Sequence, residues 1–126
     1  MRVKFSDFKL LLLLAITRRM IRSAERRSPR VRALMQQENF TFGVLTSSGF
    51  GGHFMLQDGQ FDLHWGRHET PDFTQMWNSS GDAVRTLTSK DPSALLQAYE
   101  DGLYTMQGRF TVALWFNEVL KIARDL

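Results

Sequence analysis

Asp58-Gly59 constrains this chain more than any other pair of residues. An Asp-Gly pair between two alternating runs marks a two-residue hairpin turn, because both central positions need a left-handed backbone. Such a turn fixes the register of the strands it joins. Gln57 must oppose Gln60, Leu56 must oppose Phe61, Phe54 must oppose Leu63, and His53 must oppose His64. One face then carries Phe54, Leu56, Phe61, Leu63 and Trp65, while the other is polar apart from Met55. The hairpin therefore belongs to an antiparallel sheet with one dry and one wet face.

Three further segments supply strands of the same kind. Residues 39–45 alternate, with Phe40, Phe42 and Val44 on one side. Residues 72–77 place Phe73, Gln75 and Trp77 together, and residues 103–107 turn Tyr104 and Met106 inward. Gln75 is the exception on an apolar face. It is either a polar handle for a ligand head group or a sign that the register is shifted by one. Residues 46–52 form a Gly/Ser loop, and residues 66–70 form a polar connection.

Between these strands the sequence predicts helices. Ser28-Pro29 reads as an N-cap followed by proline at the first helical position. That helix runs to about residue 38, with Val31, Leu34 and Met35 inward. A second is predicted over residues 80–87. A third starts with Asp91 as N-cap and Pro92 at the first position, and ends near Gly102. The last covers residues 109–126 and is apolar on many sides, with Phe110, Val112, Ala113, Leu114, Trp115, Phe116, Val119, Leu120 and Ile122. A helix of this kind needs apolar partners around most of its circumference.

The N-terminal segment has a different character. Ser6 is the expected N-cap of a first helix, with Asp7 in its positive first turn. Leu10 to Ile16 is a seven-residue apolar run, far short of the roughly 20 residues that a membrane span requires. Arginines follow it, where a signal peptide would need a small-residue cleavage site. The charge is uneven. Residues 1–32 hold ten Lys or Arg against two acids, a net of +8, while the rest holds six against eleven, a net of −5. An apolar run followed by arginines suits an interfacial helix on an anionic surface, through Leu11, Leu12, Arg18, Arg19, Arg22 and Arg26. It suits equally a helix that packs on its own domain or on a second copy as a homodimer. Nucleic acid is disfavoured, because the folded remainder is acidic and repels phosphates.

At 126 residues the chain is one domain with a sizeable core. The division expected is a basic, apolar helical extension over 1–28 and a binding domain over 29–126. There is no cysteine, so disulfides and thiolate metal sites are excluded. His53 and His64 oppose each other on the wet face with Asp62 nearby, which reads as an exposed polar pair before it reads as a metal site. Gly49-Phe50-Gly51-Gly52 lacks the Lys-Ser/Thr of a phosphate loop. The serines and histidines show no nucleophile elbow or triad spacing. No catalytic residue, metal or cofactor is therefore assigned.

The order of the C-terminal segments adds a resemblance. Pro71-Asp72 opens a strand, Lys90-Asp91-Pro92 marks a turn, and Gly102 and Gly108 bracket a strand before the closing helix. In this order and spacing the chain resembles the sterol carrier protein type 2 family, over about three-quarters of its length from Leu34 to Leu126. It departs from the family at Arg109, where an acidic residue is frequent. The resemblance implies an α+β fold: a five-stranded, mostly antiparallel sheet with helices covering one face and an apolar tunnel between them. It implies non-catalytic binding, transport or presentation of a fatty acyl, phospholipid, sterol-like or isoprenoid lipid. The lining expected is Phe40, Phe42, Val44, Phe54, Leu56, Phe61, Leu63, Trp65, Phe73, Gln75, Trp77, Tyr104, Met106, Phe110, Leu114 and Trp115. Trp65, Trp77 and Trp115 are bulky enough to narrow or fill such a tunnel. The alternative is an interaction module with a filled interior that assembles a membrane-associated complex, for example in isoprenoid quinone biosynthesis. The lack of an export signal favours a cytoplasmic location with membrane association.

Overall fold

The computed structural model describes residues 4–126. Five strands form one sheet: β1 (Phe40–Thr46), β2 (Gly51–Gln57), β3 (Gln60–Trp65), β4 (Phe73–Trp77) and β5 (Tyr104–Gly108). Their order is β3-β2-β1-β4-β5. Three of the pairings are antiparallel, and β1 runs parallel to β4. The described residues also form five helices: α1 (Phe5–Arg27), α2 (Pro29–Gln37), α3 (Ser80–Leu87), α4 (Ala94–Glu100) and α5 (Thr111–Arg124). This is the α+β architecture expected from the sequence.

The hairpin register is the one dictated by Asp58-Gly59. Gln57 pairs with Gln60, Leu56 with Phe61, Phe54 with Leu63 and His53 with His64. Asp58 and Gly59 both have positive φ, at 52° and 81°, as a type I′ turn requires. The same alternation continues across the sheet. Phe42 pairs with both Phe54 and Phe73, so the dry face is continuous through β2, β1 and β4.

Two helix starts differ from the sequence reading. Lys4, not Ser6, is the N-cap of α1. Asp7 at the third position accepts the Lys4 backbone N–H at 2.8 Å, so the acid holds the first turn from inside the helix. α4 begins at Ala94 with Ser93 as N-cap, two residues after the expected start. The Asp91 carboxylate instead accepts both the N–H and the hydroxyl of Ser93, at 2.9 and 2.8 Å. This Asx turn competes with helix at Pro92. The α2 start agrees with the sequence: the Ser28 hydroxyl accepts the Val31 N–H, and Pro29 is the first helical residue.

α1 packs on its own domain. Leu10, Leu14, Ile21 and Ala24 face inward and join the same core as the sheet. Arg18 and Arg22 reach Asp62 on the edge strand β3 at 3.5 and 3.7 Å. Such exposed pairs contribute little stability.

The wet face is not uniformly wet. β1 is buried along its whole length on both sides. The connection from β3 to β4 supplies the reason. It crosses from one edge of the sheet to the far side of β1 and covers the polar face on its way. His68 from this connection lies 5.2 Å from the His53 ring, which in turn stacks on His64 at 5.4 Å. The three histidines of the chain thus gather on one patch. The His53 Nδ1 is bonded to the Gly66 carbonyl at 2.9 Å. Among the described residues, no group of three or more His, Cys, Asp or Glu is placed to hold a metal ion.

Candidate functional site: the apolar layer between sheet and helices

The dry face brings most of the predicted lining residues together. Phe40, Phe42, Val44, Phe54, Leu56, Phe61, Phe73, Gln75, Trp77, Tyr104 and Trp115 are buried, and Leu63 and Met106 are half-buried. Alternation in five strands aims them at one side, where α1 covers β2 and β3, α3 covers β4, α4 covers β5, and the Trp115 and Phe116 rings of α5 lie on β1. The rings are in contact with one another. Phe40 meets Trp115 edge-on at 4.9 Å, and Trp77 stacks on Tyr104 at 4.3 Å. Such pairs add about 0.5–1.5 kcal/mol beyond the area they bury.

The polar atoms of this layer are satisfied within it. The Trp115 indole N–H donates to the Leu34 carbonyl at 2.9 Å. The Trp77 indole N–H donates to the Gln75 side-chain carbonyl at 3.1 Å. Gln75 therefore sits in the correct register, between Val44 and Met106. Its polar side chain is explained by the neighbouring tryptophan. The Tyr104 hydroxyl donates to the Leu95 carbonyl at 3.2 Å. Burial, and then the nearby Tyr99, push the Tyr104 phenol above its ordinary range.

Three predicted lining residues lie at or outside the margin. Trp65 is 56% exposed at the end of the edge strand, where its ring lies over Gly52. Leu114 is 66% exposed. The buried positions of α5 are Val112, Trp115, Phe116 and Val119, a single stripe at helical spacing. Leu114 projects from the opposite side of the helix. Phe110 precedes the helix and reaches Phe73 at 5.5 Å, with more than half its surface still in solvent.

Sequence reasoning left Phe116 out of the lining, yet it lies at the centre. Its ring contacts Phe42 at 4.7 Å, Phe54 at 5.2 Å, Phe40 at 5.8 Å and Phe61 at 6.0 Å. The 112-115-116-119 spacing was a usable signal for it. It was hidden by the additional apolar residues on the other sides of the helix.

The layer thins toward β5. Met106 is half-exposed on the dry face. Leu87, Leu95 and Leu103 are likewise only half-buried where they pack against the core. α5 packs on α1 and α2 and, through Trp115 and Phe116, on the rings of β1, β2 and β3, whereas α4 packs on α3 and β5. The two helices that flank this margin are therefore anchored separately. α3 is held to α1 by a buried polar tie, in which the Ser80 hydroxyl donates to the Asp7 carboxylate. That bond, followed by the Lys4 N–H, holds the Asp7 carboxyl below its ordinary range.

Comparison with solved structures places this arrangement. A structure titled UbiJ-SCP2 ubiquinone synthesis protein superposes with a TM-score of 0.63, covering 99% of this chain and 98% of that one at 16% identity. The fold is sterol carrier protein 2-like. Sterol Carrier Protein 2 Like 2 from Aedes aegypti also superposes, with a TM-score of 0.50 at 17% identity, over 91% of this chain and 94% of its own. No family model matches the sequence, and no curated protein matches it. At such identities the likeness fixes the backbone of the sterol-carrier-like fold and not the contents of its interior.

The outer surface of this fold carries a second feature. Phe5, Phe8, Leu12 and Ile16 are all exposed. Steps of three and four residues put them on one stripe of α1, directly opposite Leu10, Leu14 and Ile21. Arg19 and Arg26 continue the stripe toward the C-terminal end and are exposed. Of the residues expected to touch a membrane or partner, Leu12, Arg19 and Arg26 share this outer face. Leu11 is half-buried, and Arg18 and Arg22 are turned to Asp62. Among the described residues, no helix is long and apolar enough to cross a membrane.

Proposed function

We propose that this chain is a non-catalytic lipid-binding module that holds the apolar part of an elongated lipid against its aromatic layer and presents it at a membrane surface. The observation that carries this reading is the half-exposed margin at Met106 and Phe110, on a sterol-carrier-like fold, continuous with the buried rings. An acyl or isoprenoid chain laid there extends the core, at about 0.8 kcal/mol for each methylene buried. Separate anchoring of α4 and α5 lets the margin widen without unfolding the sheet. Organic extraction of the purified chain followed by mass spectrometry is expected to release an elongated apolar molecule.

The close ring packing favours a second reading, an interaction module with a filled interior that serves a membrane-bound complex. A protein of this fold is named for ubiquinone synthesis, so such a complex in quinone biosynthesis is the form this reading takes. An extract without lipid is the result this second reading expects.

Presentation at a membrane is assigned to the outer face of α1. Its apolar stripe lies flat at the head-group boundary, and its arginines meet anionic head groups at about 1 kcal/mol each. Flotation is expected to recover the chain with phosphatidylglycerol vesicles but not with phosphatidylcholine vesicles. Leu12→Asp is expected to abolish recovery without loss of folding, because Leu12 is exposed. Undiminished flotation of this variant would remove α1 from the account.

A further inference from the structure

The opposite face of the sheet holds a cleft of about 360 Å³ that the lipid reading does not use. That volume falls within the range of small-molecule sites, roughly 300–1,000 Å³. Its floor is two rungs of the sheet. Gly43, Thr74 and Gln107 lie side by side on β1, β4 and β5, and Leu45, Met76 and Thr105 form the next rung. The first rung offers a hydroxyl and an amide, and the glycine between β-strand neighbours leaves the space open. The second offers two apolar side chains and a hydroxyl.

The roof is the crossing connection, through Arg67, His68 and Glu69. Arg67 has no carboxylate partner among the described ion pairs. His68 accepts the Thr70 N–H on Nδ1 at 3.1 Å, so its proton sits on Nε2, which is left as a donor. A permanently charged fork, a ring N–H, two hydroxyls and an amide thus surround a small space beside Leu45 and Met76.

We propose that this cleft binds a small organic oxyanion, a carboxylate or phosphate on a short apolar stem. Arg67 takes the anion in a two-pronged bond of the kind guanidinium makes with planar oxyanions. The Thr74 hydroxyl and Gln107 amide complete its shell, and the stem lies on Leu45 and Met76. Glu69 is the one acid of the lining and weakens the field at the site.

The test is an amide NMR titration of the full chain with hexyl phosphate and hexanoate, using hexanol and inorganic phosphate as controls. Both amphiphilic anions are expected to shift Gly43, Thr74, Thr105 and Gln107, inorganic phosphate more weakly and hexanol not at all. Arg67→Ala is expected to weaken binding about tenfold, and Glu69→Gln to tighten it. Gly43→Val is expected to block it by bulk alone. A Cβ at Gly43 meets only ordinary contacts, 3.5 Å from Thr74, and thermal unfolding of the variant checks that its two further methyls leave the fold intact. Shifts confined to the aromatic layer, equal shifts with hexanol, or binding indifferent to both Arg67→Ala and Gly43→Val would overturn the proposal. Competition distinguishes the source of the anion. In the Leu12→Asp variant, which lacks the α1 contact, hexyl phosphate releases the chain from phosphatidic acid vesicles if the natural ligand is a lipid head group, whereas the variant does not bind these vesicles if the ligand is a soluble molecule. Neither result depends on whether the opposite face carries a lipid.

Discussion

Phe116→Ala is expected to destabilise the chain by about 3–5 kcal/mol. Phe116 meets rings from β1, β2 and β3 as well as its own neighbour Trp115. Truncation removes the transfer energy of the ring and opens a cavity that four separate elements would have to close together. Strands held in a ladder cannot collapse inward independently, so relaxation is small. With total stabilities of about 5–15 kcal/mol typical of single domains, the variant is left close to its unfolding threshold. A urea titration followed by far-UV circular dichroism measures this as a lowered midpoint. Leu114→Ala, on the exposed side of the same helix, is expected to change stability by less than about 0.5 kcal/mol. Equal losses in the two variants would mean that α5 does not pack with its 112-115-116-119 stripe inward.

The second large effect is expected at a glycine. Gly108 pairs with Phe73 where β5 passes into α5, and its φ is +115°. A Cβ placed there falls 2.2 Å from the Asp72 carbonyl oxygen and 2.9 Å from the Phe73 Cα. Both contacts are to backbone, so no side chain can give way. The same Asp72 carbonyl accepts the Arg109 N–H at 2.7 Å, so any shift also breaks the bond that starts the turn into α5. Gly108→Ala is expected to cost about 3 kcal/mol or more, measured as a fall in the midpoint of thermal unfolding. Loss of less than about 1 kcal/mol would mean that the strand ends differently at this residue.

The contrast between Gly108 and Gly43 shows what the sequence made legible and what it did not. Gly108 stands in the relay of motifs that resembles the sterol carrier family, and its role as a bracket between strand and helix is local. The hairpin register was legible for the same reason, because Asp58-Gly59 fixes it with two residues. Gly43 looked like one more residue of an alternating strand. Its function as an open floor depends on β4 and β5 lying beside β1, and on residues 66–72 crossing above. That crossing joins segments distant along the sheet, so no local pattern announces it.

The limits of periodicity appear in α5. Nine apolar residues obscure the direction of the helix, and only packing against the sheet selects Phe116 over Leu114. α1 shows the reverse case. Its run of leucines reads as a single block, but helical geometry divides it. Leu10 and Leu14 enter the core, while Leu12 is left on the outer face with Phe5, Phe8 and Ile16. Gln75 was legible as an anomaly but not as an answer, because its partner is the indole N–H two residues along the same strand.

Titration of the delipidated chain with a fluorescent fatty acid tests lipid binding most directly. The expected result is saturable uptake of one molecule per chain, reversed by unlabelled fatty acid and weakened about tenfold or more by Met106→Asp at the margin. A titration that stays flat, or uptake that Met106→Asp leaves unchanged, would contradict a lipid site at this margin.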